Sequence, residues 1–349
     1  MPEEHDVLVH MGDGTRYHTL SQHLRETFGC KVYKVSVDAG FTCPTRDGTK
    51  GVGGCIYCDA RGSGAYHIRG QPLEEQIQRG MAFARKRHGS DKFIVYFQAF
   101  TNTYAPIDKL RSVYEQALSF PDVVGLAIGT RPDCVPNAVL DLIADYARKF
   151  YVWMEYGLQS AKDETLEAVQ RGHTVADFVE AVHRTKARGI WVCVHVMLGL
   201  PGEDTQDMMA TADLVAELDL DGIKIHPTYV PRGTVLEEMY RDGSFGPLDR
   251  STYVARACDV LERIPERIIV HRITGEAPED VLVAPKWCLD KVGVLQAIRA
   301  ELVRRDTWQG KRCRRRIPDG SRASHTRSKK LWGSRNPGPR NGSCCGTCC

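Results

Sequence analysis

The feature that most constrains the fold is a repeated alternation of short apolar runs and helical patterns between residues 31 and 270. Six strand–helix units of this kind predict parallel strands that are joined by helical crossovers. The units are 32–37 with 73–88, 93–97 with 107–119, 123–128 with 136–149, 151–157 with 176–188, 191–200 with 205–218, and 223–226 with a helix from about 235. Several runs are apolar on both faces, as in a sheet covered by helices. An open doubly wound sheet and a barrel or partial barrel both fit, but no G-x-G-x-x-G opens the first helix, which disfavours dinucleotide binding.

Composition excludes a membrane protein and a secreted disulfide scaffold. No stretch reaches the ~20 apolar residues of a membrane span, and residues 1–20 are polar, without the apolar core of a signal peptide. The chain contains 13 cysteines. Without a secretory signal, cysteines serve metals or chemistry in a reducing compartment. We therefore expect a cytoplasmic protein that has no membrane partner.

Charge is distributed unevenly along the chain. The net charge is +3, but residues 311–349 carry eleven basic side chains and one acid, so the tail has +10 and residues 1–310 have −7. The tail has little apolar periodicity, so it cannot bury sufficient apolar surface to fold, and we predict disorder. It could bind nucleic-acid phosphates, or it could be an extension without a role, which composition favours.

Three cysteines follow the first predicted strand in a glycine-rich segment with the pattern C-x11-C-x2-C, at Cys43, Cys55 and Cys58. A [4Fe–4S] cluster held by three cysteines leaves one iron free to bind a small molecule. Nearby glycines would let the chain pass close to a bulky cluster. The alternative is a zinc site that has a distant fourth ligand.

Polar side chains occur where the predicted strands end, which is where parallel α/β folds collect their functional residues. Taken singly, each could be a turn or cap residue; for example, Arg131 could simply pair with Asp133. Six such ends around one rim predict a site. The candidates are Gln98, Arg131, Glu155, Gln159, Arg171, Gly199 and His226.

These motifs together resemble the radical S-adenosylmethionine (SAM) superfamily, most closely the YhcC-like family related to the catalytic subunit of Elongator. The resemblance covers about residues 15–310. It is carried by Asp38-Ala-Gly-Phe-Thr-Cys43-Pro-Thr-Arg46, Gly53-Gly-Cys55-Ile-Tyr-Cys58, Gly129-Thr-Arg-Pro-Asp133, Glu155-Tyr-Gly-Leu-Gln159, Arg171-Gly-His173, Gly199-Leu-Pro-Gly-Glu203 and His271-Arg272. The first cysteine gap is longer than the C-x3-C-x2-C commonest in the superfamily.

The resemblance implies an α/β fold with a partial (βα)6 TIM-like barrel. We place a lead-in at 1–28, the barrel at 29–245, a small α/β extension at 246–309 and the disordered basic tail at 310–349. It also implies an enzyme in which Cys43, Cys55 and Cys58 hold a [4Fe–4S] cluster. A flavodoxin- or ferredoxin-type donor would reduce this cluster, which would then cleave SAM to a 5′-deoxyadenosyl radical.

The resemblance also suggests roles for the strand ends. Tyr57 would contact the adenine, and Glu155, Gln159 and Arg171 would hold the ribose and methionine parts of SAM, supported by Arg131. Gln98 would also contact SAM, and Gly199 and His226 would lie against the adenine. Among the other cysteines, Cys193 and Cys258 are expected in the core, and Cys288 is a candidate near the substrate.

The substrate is not fixed by these residues. Similarity to Elongator points to tRNA, at a wobble uridine, with His271 and Arg272 as candidate substrate contacts. The acidic body fits a small metabolite or a protein side chain better. The alternative from a different functional class is a protein without catalytic activity that contains an iron–sulfur or zinc site and binds RNA.

Overall fold

A computed structural model describes residues 14–62, 70–275 and 277–313. The chain forms helices α1 Leu20–Phe28, α2 Leu73–His88, α3 Ile107–Leu118, α4 Asn137–Ala147, α5 Asp163–Ala168, α6 Val175–Ala187, α7 Thr205–Glu217, α8 Val235–Arg241, α9 Arg250–Arg263 and α10 Lys291–Arg304. The strands are β1 Val32–Val37, β2 Lys92–Phe97, β3 Val123–Thr130, β4 Tyr151–Gln159, β5 Trp191–Leu198, β6 Gly222–Pro227, β7 Val230–Pro231, β8 Ile269–Arg272 and β9 Leu282–Ala284. All six predicted units are present, with bounds within two residues of those predicted.

Seven parallel strands form one sheet in the order β1-β2-β3-β4-β5-β6-β8. The sheet curls, because Lys34 Nζ on one edge strand lies 3.3 Å from His271 Nδ1 on the other edge strand. The two edges do not pair with each other. The architecture is therefore the partial barrel that the sequence predicted, with helices packed on its outer face.

The seventh strand, β8, lies beyond residue 245, where we placed the end of the barrel. It pairs with β6, so the sheet continues into the C-terminal extension. Helices α9 and α10 of the extension pack together, and their apolar faces belong to the main core, with Leu261 and Ile298 fully buried. A separate two-stranded sheet is formed by β7 and β9.

Helix α1 closes the barrel at the amino ends of the strands. It begins after Thr19, whose hydroxyl accepts a hydrogen bond from the Gln22 amide, and it ends at Gly29, which has φ +69°. Leu24 and Phe28 on its inner face pack in an apolar cluster with Ile94, Tyr151, Trp153, Cys193 and Ile269. Because apolar side chains fill the barrel at the amino ends of the strands, a small molecule can enter the interior only at the carboxyl ends.

Within the described ranges, no helix is long and apolar to the degree that a membrane crossing requires. The predicted tail beyond Cys313 and the first 13 residues of the lead-in lie outside the described residues.

Candidate active site

The segment from Cys43 to Cys58 is a compact loop after β1, closed by its own backbone. The amide of Arg46 donates to the Cys43 carbonyl over 2.8 Å, and the Cys58 amide donates to the Cys55 carbonyl over 2.9 Å. Gly54 has φ +85°, and a Cβ at this position would lie 2.7 Å from Arg46 Nε. The guanidinium of Arg46 also donates to the Cys58 carbonyl over 2.7 Å. Arg46 and Gly54 therefore hold the two ends of the loop together.

The sulfur of Cys43 accepts a hydrogen bond of 3.3 Å from the hydroxyl of Thr101, and it lies 3.2 Å from the hydroxyl of Thr45. Burial alone would raise the pKa of Cys43, but these hydroxyls and the charge of Arg131 lower it below its usual value. Burial raises the pKa of Cys58 to about 11. Cys43 is thus prepared to ionise, whereas Cys58 needs a bound metal to lose its proton.

Two arginines stand beside the cysteine loop. Arg171 Nη2 donates to the Gly157 carbonyl over 2.9 Å, and its Nη1 lies 3.7 Å from the sulfur of Cys55. Arg131 is buried; it binds both carboxylate oxygens of Asp133 and donates to the Arg171 carbonyl over 2.5 Å. The predicted pairing of Arg131 with Asp133 therefore exists, and Arg131 also positions Arg171 through its hydrogen bond to the Arg171 carbonyl. Burial would raise the pKa of Asp133, but Arg131 and Lys50 hold it at about 2.

Glu155 is fully buried in the barrel interior, and both of its oxygens are occupied. Oε1 accepts from Lys34 Nζ and Oε2 accepts from Lys224 Nζ, each over 2.5 Å. His195 Nε2 lies 3.0 Å from Oε2. Burial would raise the pKa of Glu155, but the two lysines hold it well below the usual value. Burial and Lys224 lower the pKa of His195 to about 4, so it is neutral at pH 7.

A cavity at the carboxyl ends of the strands brings most of the predicted residues together. Its volume is about 150 Å³, and it is open to solvent on one side. Predicted residues on its wall are Cys43, Cys55, Tyr57, Cys58, Gln98, Arg131, Glu155, Gln159 and Arg171. Gln159 follows a β-bulge and has φ +78°, a strained backbone that is typical of functional positions. Its side chain lies at the rim of the cavity.

Two predicted residues lie away from the wall. Gly199 has φ +81° and packs against Leu248, and a Cβ at Gly199 would lie 2.6 Å from Leu248 Cγ. The ring of His226 lies behind His195, with 5.6 Å between the ring centroids. Burial lowers the pKa of His226 well below its usual value. The structure therefore does not bring these two residues together with the cysteines.

None of the remaining described cysteines lines the cavity, although the sulfur of Cys193 lies within 4.8 Å of ligand atoms of Glu155 and His195 on its wall. Cys193 and Cys258 are fully buried, as expected, and Cys30 packs beside the apolar cluster at the amino ends of the strands. Cys288 is buried with Ala277 and Leu282, and burial raises its pKa to about 12.

Sequence reasoning missed the lysines of the interior. Lys34 and Lys224 each interrupt an apolar strand, which is itself informative because an unpaired buried charge is costly. Tyr96 was missed as well; its hydroxyl accepts from Lys224 Nζ over 2.9 Å. The hydroxyls of Thr45 and Thr101 left no recognisable pattern.

The donor set fits an iron–sulfur cluster with one open position. Three thiols lie on the wall of one cavity. Among the described residues, Glu155, Cys193 and His195 also offer metal-ligand atoms within 4.8 Å of one another, but none of these three belongs to the cysteine loop. Arg171 and Arg131 supply positive charge beside the thiols, which suits an anionic cluster. Among the residues that the structure describes, the buried hydroxyl of Tyr57 has no hydrogen-bond partner, and Tyr57 lies on the cavity wall.

Comparison with known proteins agrees with this geometry. The family model described as Radical SAM superfamily matches residues 48–215, and the Radical_SAM C-terminal domain matches residues 220–304. The uncharacterized protein YtqA of Bacillus subtilis is 45% identical over 299 residues, which are 85% of this chain and 92% of YtqA. Protein YhcC of Escherichia coli is 38% identical over 266 residues, covering 76% of this chain and 85% of YhcC.

Two further proteins are less similar in sequence. The tRNA uridine(34) acetyltransferase of Dehalococcoides mccartyi is 32% identical over 158 residues, 44% of this chain and 34% of the relative. The solved structure of Elp3 from Methanocaldococcus infernus, with residues 1–46 deleted, covers 80% of this chain and 64% of that one at a TM-score of 0.60. At 19% identity, that structure supports the fold alone. With YtqA and YhcC similar over most of their length, this chain belongs to the radical SAM superfamily, and it is an enzyme that uses a [4Fe–4S] cluster and SAM.

Proposed function

We propose that Cys43, Cys55 and Cys58 are the three protein ligands of the cluster, and that SAM binds in the cavity which they line. The observation that carries the proposal is that all three thiols share one cavity wall with polar groups from five other parts of the chain. When bound and reduced, the cluster supplies the electron that cleaves SAM to methionine and a 5′-deoxyadenosyl radical. The protein contributes orientation and a site shielded from water.

Each wall residue has a proposed part in binding SAM. Arg171 offers a planar guanidinium for the carboxylate of SAM. Gln159 offers an amide at the rim for the ribose hydroxyls, and Tyr57 offers a ring for the adenine. Gln98 lies on the same wall and would contact SAM.

Three residues have a less direct proposed part. Glu155, predicted to contact the ribose, reaches the cavity with both oxygens already hydrogen-bonded, so its part is to position the lysines that surround it. The adenine contacts expected of Gly199 and His226 stay predictions.

The first candidate substrate is tRNA, at a wobble uridine. Its support is the 32% identity with a protein named tRNA uridine(34) acetyltransferase, over less than half of this chain. The basic residues 311–349 would bind phosphates, and binding would then weaken steeply with salt. If a protein truncated after residue 313 bound tRNA with the same salt dependence, the tail would have no part in binding.

The second candidate is a small metabolite that carries an anionic group. A specific observation favours it: the interior beneath the cavity contains more basic than acidic side chains, at a depth that suits a small molecule. A flavodoxin- or ferredoxin-type protein is the proposed electron donor. The nine described cysteines are free thiols, which suits the reducing conditions of the cytoplasm.

One experiment tests the chemistry and separates the candidates. The protein is reconstituted anaerobically with iron and sulfide, and then given dithionite and SAM, with and without total tRNA. We expect 5′-deoxyadenosine from the wild type and none from Cys55→Ala. Absence of 5′-deoxyadenosine from a protein that carries its cluster would contradict the proposed chemistry.

A second experiment analyses the nucleosides of tRNA to decide whether tRNA is the substrate. For a tRNA substrate, tRNA from a deletion strain lacks a wobble modification, which mass spectrometry detects, and purified enzyme restores it. Unaltered tRNA, together with 5′-deoxyadenosine formation that tRNA does not stimulate, would reject tRNA in favour of the small metabolite.

A further inference from the structure

We infer that Lys34, Lys224 and Arg272 form a site for the carboxylate or phosphate group of a small substrate. We call these three residues the cationic floor, because they lie in the barrel interior beneath the cavity wall. This inference rests on the proposed use of the cavity and names the substrate class that the cavity accepts. It favours a small anionic molecule over a tRNA base as the group that enters the interior.

The cationic floor surrounds one carboxylate. Lys34 binds one oxygen of Glu155 and Lys224 binds the other. Arg272 occupies the register position opposite Lys224 on the neighbouring strand β8, and its charge acts on Lys224 and on Tyr96. Two of the three cations therefore bind the carboxylate of Glu155, and Arg272 adds a third positive charge without binding it.

The histidines of this interior add no charge to the three cations and the carboxylate. Burial and the lysines keep His195 and His271 neutral, with the pKa of His195 at about 4 and that of His271 at about 3. Within the described residues, the Arg272 guanidinium has no hydrogen bond and no ion pair with a carboxylate. Asp59, a carboxylate on the cysteine loop, binds Arg61 instead.

Burial lowers the pKa of Lys34 and of Lys224, because an excess of two positive charges in a buried interior is costly unless something compensates it. A bound anion would supply the missing charge and would accept the hydrogen bonds that three cationic donors offer. An excess of positive charge that lowers stability is therefore expected where the residues bind an anion. A purely structural ion pair would need only one lysine for Glu155.

The cavity wall includes residues that contact the floor. Tyr96, Glu155 and His195 belong to the cavity wall. The side chains of Lys34 and His195 keep 15% and 18% of their surface exposed. A small molecule bound over the floor would thus contact the part of the wall formed by Tyr96, Glu155 and His195.

A metal ion at the same place is disfavoured. Glu155, Cys193 and His195 offer ligand atoms within 4.8 Å of one another. However, an ammonium group lies 2.5 Å from each carboxylate oxygen, so an added cation would meet strong repulsion. The same arrangement attracts an anion.

The test measures binding of two simple anions to the cluster-loaded protein with SAM, at constant ionic strength. Equilibrium dialysis with labelled acetate and labelled inorganic phosphate asks which anion binds saturably below 50 mM. We expect one of the two to bind, and to bind at least about tenfold more weakly to Arg272→Met and Lys224→Met, the loss expected for one charge-assisted hydrogen bond. Lys149→Met, an exposed lysine on the outer surface, is the matched control and should bind as the wild type does.

Arg272→Met keeps the test decisive if Lys224→Met fails to fold, because removing Arg272 leaves no carboxylate of the described chain without its partner. In the absence of added anion, its thermal midpoint should rise by about 1 °C or more, since the charge excess is reduced. A phosphate-only result assigns a phosphate group, and an acetate-only result assigns a carboxylate. Lack of saturable binding of both anions, or equal binding by Arg272→Met and the control, would overturn the inference.

The absorbance of the cluster is recorded for every variant. Failure of the wild type to take up the cluster would count against the proposed function, whereas a wild type with intact absorbance and no saturable anion binding would count against the cationic floor alone. Full tRNA-dependent product formation by Arg272→Met would also overturn the inference.

Discussion

The guanidinium of Arg171 lies between the sulfur of Cys55 and the carbonyl oxygen of Gly157. Its Nη1 is 3.7 Å from the sulfur, and its Nη2 donates to the carbonyl over 2.9 Å. Glycine at 157 permits this approach, because a Cβ there would lie 2.6 Å from Nη2. Arg131 also fixes Arg171, because it donates a hydrogen bond to the Arg171 carbonyl. The chain thus fixes a positive charge beside Cys55, a proposed ligand of the cluster.

Replacing Arg171 with glutamine should lower the reduction potential of the cluster. A nearby cation stabilises the reduced, more negative state, and hydrogen bonds to the sulfurs act in the same direction. We expect a shift of about 30–60 mV to more negative potential, up to a tenfold change for a one-electron couple. A redox titration followed by electron paramagnetic resonance measures it. Arg148→Gln, on an exposed side chain at a helix end, should leave the potential unchanged. If both variants keep the wild-type potential, Arg171 does not tune the cluster.

Each of the three cysteines should be indispensable for the cluster. Cys43→Ala, Cys55→Ala and Cys58→Ala each remove one proposed ligand, so we expect loss of the ~400 nm iron–sulfur absorbance and of all 5′-deoxyadenosine formation. The control is Cys258→Ala, which alters a buried thiol in helix α9 and should retain both. A variant of the loop that keeps full absorbance and turnover would remove that cysteine from the ligand set.

The fold was largely predictable, since hydrophobic runs and glycine or proline boundaries are local properties of the sequence. Strand and helix patterns from 32–37 to 205–218 were each found within two residues. The place of β8 in the sheet was harder, because a four-residue strand carries little periodicity and its partner lies more than 40 residues away. Helix α1 was missed as an element. Its role depends on packing against strands β2, β4, β5 and β8, which no local pattern reveals.

The candidate site was predicted less completely. Cysteine spacing identified the loop, and strand-end positions identified Gln159 and Arg171, because parallel strands all bring their carboxyl ends to one rim. The interactions of Glu155 with Lys34 and Lys224 join strands β1, β4 and β6, and they exist only because the sheet curls. Curvature follows from the whole set of packing contacts, so it could not be deduced from any one segment.

Acid should destabilise the protein in part through His23. Its Nε2 lies 2.7 Å from the Tyr151 hydroxyl, and burial lowers its pKa to about 4. An unfolded histidine titrates near 6.5, so between pH 6.5 and 4 the unfolded state binds more protons and stability falls as the pH falls. Lowering the pH from 7.5 to 5 should cost up to about 2 kcal/mol through this residue.

The measurement is urea unfolding of the wild type and His23→Gln at both pH values, which isolates one histidine from other acid effects. The variant should lose less stability than the wild type over this range. Replacement of the exposed His183 by glutamine should leave the pH dependence as it is. Equal losses for the wild type and His23→Gln would show that the buried ring does not govern the acid response.

Glu155 and Lys224 should be strongly coupled in stability. Glu155→Gln leaves two buried ammonium groups without their counter-charge, so the free energy of unfolding should fall by about 3–5 kcal/mol. Adding Lys224→Met removes one of those charges, and the double variant should therefore recover about 1–3 kcal/mol relative to additivity. Urea unfolding of all four proteins gives the coupling energy. Glu180→Gln, which alters an exposed pair with Arg184, should change stability by less than about 0.5 kcal/mol. Additive effects of the two interior substitutions would mean that Glu155 does not hold the lysines together, and its occupied oxygens would then be open to SAM.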